Sequence, residues 1–213
     1  YYACSDGQVV GNTVLENRGS HANGLTFYVG CKDILVERNH VAEGNCALTF
    51  QEAERMTFRN NLFDSNGRSA VVGIWTAGPL RDIRIINNTI VGSQHQASWA
   101  VGLFSNNRAI EGLVVANNII DGAHSDHGIF RKGTFRNNLY TRLGPEQGDH
   151  PFGADELVET DLTRIFRDPA AGDYRLKPGS PAIAAGADGA TDDITGAQRP
   201  PGRCDLGAFA FTP

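Results

Sequence analysis

Apolar and polar residues alternate with a period of two in a series of short runs. These are Leu25-Thr26-Phe27-Tyr28, Leu48-Thr49-Phe50-Gln51, Val72-Gly73-Ile74-Trp75, Val101-Gly102-Leu103-Phe104 and His127-Gly128-Ile129-Phe130. Runs of this kind, bounded by Gly, Asn and Ser, predict strands rather than helices. A second pattern recurs between them: apolar, two variable residues, Asn, one variable residue, apolar. It reads VVGNTV from Val9, VERNHV from Val36, FRNNLF from Phe58, IINNTI from Ile85, VANNII from Val115 and FRNNLY from Phe135. The Asn stands at 12, 39, 61, 88, 118 and 138, a repeat of about 25 residues.

Two or three short strands per repeat of this length, with no helical segment, describe a solenoid. The expected fold is all-β, a right-handed parallel β-helix of about six coils over residues 1–140, with an irregular tail over 141–213 packing on it or capping it. The fixed Leu framework of leucine-rich repeats is absent, and propeller blades need longer repeats. The recurring Asn belongs at a turn, where it tolerates left-handed backbone and can bond to the Asn one coil away. Its role is read as structural.

The alternation also sorts the strand faces. Leu25, Leu48, Val72 and Val101 point inward, as do Phe27, Phe50, Ile74, Leu103 and Ile129. Tyr28, Gln51, Trp75, Phe104 and Phe130 then form an outward ladder beside Gly73, Gly102 and Gly128. Aromatic faces next to bare backbone suit stacking against a sugar ring. Tyr28, Trp75, Phe104 and Phe130 are therefore candidate substrate-binding residues, with Glu52 and Glu54 in the adjoining turn. The competing reading lays the tail across this face and turns the ladder into a second core.

Composition narrows the classes. A net charge of −5 argues against duplex nucleic acid as a partner, because phosphate binding needs a basic footprint. No apolar run is long enough to span a membrane. The four cysteines form no CxxC pair, which argues against structural zinc. Cys4 and Cys31, one repeat apart, should stack as neighbours within the Cα range of a disulfide. Parallel side chains seldom reach the torsion, so free thiols are expected there, and Cys46 with Cys204 is the alternative tie between coil and tail. By the same offset Tyr1 matches Tyr28, so the first coil reads as incomplete, to be completed by upstream coils or a partner chain.

Beyond Tyr140 a loop rich in Gly, Pro and charge (143–155) leads into DPAAGDYRLKPGSPAI from Asp168 to Ile183. Then come D…G…RP, ending at Arg199-Pro200, and DLGAFAF from Asp205 to Phe211. This segment resembles the terminal segment common in secreted bacterial β-helix proteins of the pectate-lyase-like superfamily. The resemblance implies a secreted or cell-surface protein with a polysaccharide or oligosaccharide partner. It does not fix an activity, since that superfamily includes lyases, hydrolases, epimerases and non-enzymes.

Two chemistries can be set against the residues. A lyase on an acidic polysaccharide removes the proton next to a uronate carboxylate, and needs Arg, Lys or Ca²⁺ to neutralise that carboxylate beside a base. Lys132 and Arg131, with His127 and Asp126, supply this set on one coil, near His124-Ser125-Asp126-His127, and are the candidate catalytic residues. No cofactor is called for, Ca²⁺ being the one open addition. A hydrolase needs two carboxylates about 5–9.5 Å apart. Glu52 and Glu54 are the candidate pair, whereas Asp126 lies three coils from Glu52. The aspartate-rich motifs of polygalacturonases are absent apart from DHG at 126–128. The expectation is a lyase ahead of a hydrolase, with a non-catalytic glycan-binding or display β-helix as the other class.

Overall fold

The structure is a computed structural model that describes residues 1–17, 19, 21–65, 70–92, 101–142 and 155–213. The chain winds through three parallel sheets. The first has the longest strands: Ser5–Val10, Cys31–Glu37, Ala53–Arg59, Leu80–Ile86, Val114–Ala116 and Thr134–Arg136, with Ile110–Glu111 also paired to Leu80–Ile86. The second holds Thr13–Val14, His40–Ala42, Leu62–Asp64, Thr89–Val91, Ile119–Ile120, Leu139–Tyr140 and Leu157–Val158. The third holds Leu25–Phe27, Leu48–Phe50, Val72–Ile74, Leu103–Ser105 and Ala123–Ser125. Each coil passes from the third sheet to the first, turns at the Asn motif and enters the second. The inward side chains form one core that includes Phe27, Phe50, Phe58, Phe63, Ile74 and Ile83.

The six Asn residues stack in register. The backbone N–H and Nδ2 of each one both donate to Oδ1 of the next, at 2.8–3.1 Å from Asn12 through to Asn138. The column ends on a carboxylate: Asn138 N and Nδ2 donate to Glu156 Oε1 at 3.3 and 2.8 Å. The expected ladder is therefore present, but its backbone differs from the expectation. The left-handed residue is the one before it in each coil: Gly11, Arg38, Asn60, Asn87, Asn117 and Asn137, with φ between 53° and 67°. The turn is made by the first residue, which leaves the second free to aim its amide along the axis.

The first Asn of three NN pairs, Asn60, Asn87 and Asn117, also receives the tail. Asn60 Nδ2 donates to Asp192 Oδ1 at 3.0 Å, and Asn87 Nδ2 donates to Asp205 O at 3.0 Å. Asn117 Nδ2 donates to Ala187 O at 2.9 Å. From there residues 155–213 lie over the second sheet, where Leu62, Val91, Ile119 and Leu139 pack against Ile165, Phe166, Leu176 and Leu206. At Gly207 (φ 82°) a Cβ would stand 2.7 Å from Thr89 Oγ1, so the tail backbone rests directly on the sheet. The tail's polar residues hold its own shape. Asp168 caps a 3-10 turn through Ala171 N–H at 3.2 Å, and Asp205 accepts from Ala184 N and Phe211 N. Arg199, buried, donates to the carbonyls of Asp192, Asp205 and Gly207 at 2.8–3.0 Å.

None of the four cysteines is in a disulfide. Cys4 and Cys31 stack with sulfurs 3.2 Å apart, as the repeat implies. The Cys46–Cys204 bridge is not made. The tail meets the solenoid at the Asn turns, where Cys204 Sγ lies 3.4 Å from Asn87 Nδ2, whereas Cys46 sits at another corner of the coil, ahead of Leu48–Phe50.

Where the tail hairpin (Phe166–Asp168 with Asp173–Leu176) crosses the second sheet, the Tyr174 hydroxyl hydrogen-bonds to the largely buried Asp64. Burial holds the Asp64 carboxyl above its ordinary range, against the opposing effects of Tyr174 and His40. A carboxyl with a raised folded-state pKa favours folding below the unfolded value of about 3.9, and that contribution is lost as pH rises through the folded value. Asp64→Asn keeps an acceptor and removes the charge. It is expected to raise the melting temperature at pH 7 relative to wild type, with the difference shrinking towards pH 4. An equal difference at both pH values would count against this origin.

Candidate functional site

The outer face of the third sheet is not covered by residues 155–213, which pack on the second. Its register fixes two outward rows. Thr26, Thr49, Gly73, Phe104 and His124 form one. The following residues Tyr28, Gln51, Trp75, Asn106 and Asp126 form the other, each strand's N–H bonding back to the preceding coil. This corrects the expected ladder, first in its register. Leu103 pairs with Val72, so the fourth run lies two residues from the alignment that the likeness of VGIW to VGLF suggests. A two-residue shift preserves which side chains face inward and changes only the column.

Consequently Phe104 stands beside Gly73, and the Trp75 indole folds back over Gly73, where a Cβ would come within 2.6 Å of the ring. The two rings lie 5.4 Å apart, and Phe104 in turn stacks on His124 at 5.9 Å. Trp75 keeps an open edge, but Phe104 is only 5% exposed and serves as the floor beneath it. Phe130 leaves the face altogether. Residues Ile129–Lys132 form a 3-10 turn whose Phe130 is fully buried against Phe135, closing the end of the core. Gly102 lies in the turn before its strand, packed on the Asp121 backbone, and Gly128 caps the 3-10 turn in left-handed conformation.

At one end of the face Tyr28 is about half exposed. There His21, Asn23, Thr26, Tyr28, Gln51 and Trp75 line a cavity of about 250 Å³, and Thr49 Oγ1 donates to Thr26 Oγ1 at 3.0 Å. At the other end are charged and ionisable groups. His124 Nε2 lies 3.3 Å from Asp126 Oδ1. In the turn leaving the sheet, Arg108 Nε donates to His127 Nε2 at 3.2 Å, and both side chains are exposed. His127 thus faces solvent, not the core that its place in the alternation implied. Arg131 and Lys132 follow on the exposed side of the 3-10 turn.

The structure therefore brings His127 and Asp126 to the end of the face and adds His124, Arg108 and Asn106, which sequence reasoning did not single out. His124 could have been found by carrying the alternation through HSDH, which puts it on the outer side together with Asp126. Arg108 has no such signal, because its partner lies in the next coil. Glu52 and Glu54 lie elsewhere, at the corner between the third and first sheets. They border a cavity of about 140 Å³ together with Lys32 and Arg81. Glu54 is paired with Arg55, which also holds Asp33 through two bonds at 2.6 and 2.8 Å. Among the described residues, no three His, Cys, Asp or Glu side chains gather around a common centre, and no helix is long and apolar enough to cross a membrane.

Stacked parallel sheets, an internal Asn column and an aromatic-floored outer face define a parallel β-helix. The chain belongs to the right-handed β-helix region family, whose model matches residues 1–142. No curated protein matches it.

Proposed function

We propose that the protein acts on an acidic polysaccharide by β-elimination, with the outer face of the third sheet as the binding surface. The observation that carries this reading is the Arg108–His127 contact at the end of that face. Elimination needs a cation for the uronate carboxylate and a base for the proton next to it. Arg108 supplies the first, a planar fork matched to a carboxylate. When the carboxylate takes the guanidinium, His127 Nε2 loses its donor and its lone pair is free to accept the α-proton; the C4–O glycosidic bond breaks as the C4–C5 double bond forms, and the departing oxygen takes a proton from water. Asp126, tied to His124, shapes the adjoining edge, and Arg131 and Lys132 add positive charge for a polyanionic chain. Trp75 and Tyr28 offer stacking surfaces for sugar rings further along, and Gln51, Asn23 and Thr26 offer hydroxyl partners. A polymer substrate of this kind suits a secreted or surface-displayed protein.

The test is unsaturated-uronate absorbance on alginate and pectate, with and without Ca²⁺. His127→Ala and Arg108→Ala are each expected to lower kcat by about a hundredfold or more, and Trp75→Ala to raise KM with less effect on kcat. Lys132→Ala should act mainly through binding. No absorbance from the wild type on either polymer would remove the elimination chemistry for these substrates. Trp75 fluorescence that still responds to oligosaccharides would then leave a glycan-binding face without turnover.

A further inference from the structure

Cys4 and Cys31 occupy equivalent positions in adjacent coils. Ser5 pairs with Lys32, and Lys32 N donates to Cys4 O at 2.9 Å. Their sulfurs stand 3.2 Å apart, so closure to a covalent bond of roughly 2.04 Å needs a movement of about 1.2 Å. Both lie at the junction of turn and strand rather than mid-strand. Cys4 precedes Ser5–Val10, Cys31 opens Cys31–Glu37, and each follows a left-handed residue, Ala3 (φ 46°) and Gly30 (φ 82°). Side-chain torsions there are less constrained by the pleat than in a strand interior, which relaxes the usual objection to a bridge between parallel neighbours. Cys31 is buried, and Cys4 is partly open to solvent.

We infer that Cys4 and Cys31 are a disulfide-forming pair that staples the first coil to the second when the protein meets a low-molecular-weight disulfide. Cys4, having lost its proton to solvent, attacks one sulfur of the reagent and expels the other half as a thiolate. Cys31, also deprotonated, then attacks the Cys4 sulfur of the mixed disulfide and expels the second half. Two protein thiols are oxidised and one reagent disulfide is reduced to two thiols. Burial and the neighbouring Cys31 thiol hold the Cys4 pKa above its ordinary value, so the reaction quickens as pH rises.

The experiment treats the native full chain with glutathione disulfide, traps thiols by alkylation under denaturing conditions, and maps the peptides by mass spectrometry. The expected product is a Cys4–Cys31 linked peptide short of two hydrogens, with Cys46 and Cys204 recovered as alkylated thiols. The melting temperature should rise by roughly 5 °C or more, because the bridge closes a coil-length loop, and a dithiol reductant should reverse it. Cys31→Ala should show neither effect. Since that change touches the core, Cys4→Ser at the more open position is the second variant, and it too must abolish the link. A reaction that stops at glutathione on Cys4, or a link that forms only in denaturant, overturns the inference.

Discussion

Asn88→Leu should lower stability by about 3–5 kcal/mol, a fall of roughly 10 °C in melting temperature for a chain of this size. The size follows from how many groups the one amide serves. Asn88 Oδ1 accepts from Asn61 N and Nδ2 at 3.0 and 2.9 Å. Its Nδ2 donates to the carbonyls of Phe58 and Ile86 at 2.9 and 3.1 Å, and to Asn118 Oδ1. All lie in a fully buried column, so leucine leaves the Asn61 N–H without its acceptor and takes one bond each from Asn61 Nδ2, the Phe58 and Ile86 carbonyls and Asn118 Oδ1, with no water to replace them. Asn12→Leu, at the exposed start of the column, should cost less than about 1 kcal/mol, because solvent replaces what is lost. Thermal or urea unfolding of the two variants separates the cases. Equal losses would show that the ladder is not what makes the interior position costly.

The second large effect is expected at Arg199. Replacing it by Met removes the guanidinium that joins the Asp192, Asp205 and Gly207 carbonyls and reaches Asn60 Oδ1 at 3.4 Å. The carboxylates of Asp192, Asp193 and Asp205, each at most 8% exposed, lose the cation among them. Breaking a buried charge set from one side costs about 3–5 kcal/mol. Because these contacts clip the tail to the coils, the loss should appear as local opening. Limited proteolysis of Arg199→Met should cut within residues 184–213 at protease levels that leave the wild-type tail whole, while the coils persist longer. Arg199→Lys should rescue little, since one ammonium cannot span acceptors laid out for a planar fork. An unchanged cleavage pattern would mean that the apolar contacts of Leu206 and Leu176 hold the tail without it.

The coil architecture could be read from the chain because two periods coincide. Alternation within strands and the Asn spacing between them both report the same helical path, and each is enforced by burial. The inward residues Leu48, Phe50, Val72, Ile74 and Leu103 are all 1% exposed or less. The column in which Phe104 falls could not be read, since a two-residue shift leaves the alternation untouched. What decides it is the Trp75 ring lying over Gly73 and seeking Phe104, a contact between coils of unequal length. Phe130 was lost to the face for a different reason. The last coil is short and ends in a 3-10 turn, so local alternation no longer describes it. The doubled Asn was half legible. Its second member repeats with the ladder, but the partners of its first lie far along the chain, as with Asn60 and Asp192, 132 residues apart.

That last arrangement bears on how the molecule can change in length. Every interior ladder Asn gives and receives the same Asn-to-Asn bonds, so the column itself places no limit on the number of rungs. The tail does. Asp192, Asp205 and Ala187 meet Asn60, Asn87 and Asn117 on three successive coils, and a peptide of fixed length gauges that three-rung span like a ruler. A duplicated coil spliced in ahead of Asn60 would leave these contacts in step. The same insertion between Asn60 and Asn117 would push the outer two apart by one strand spacing, about 4.8 Å, and the tail could then hold at most two of its three marks.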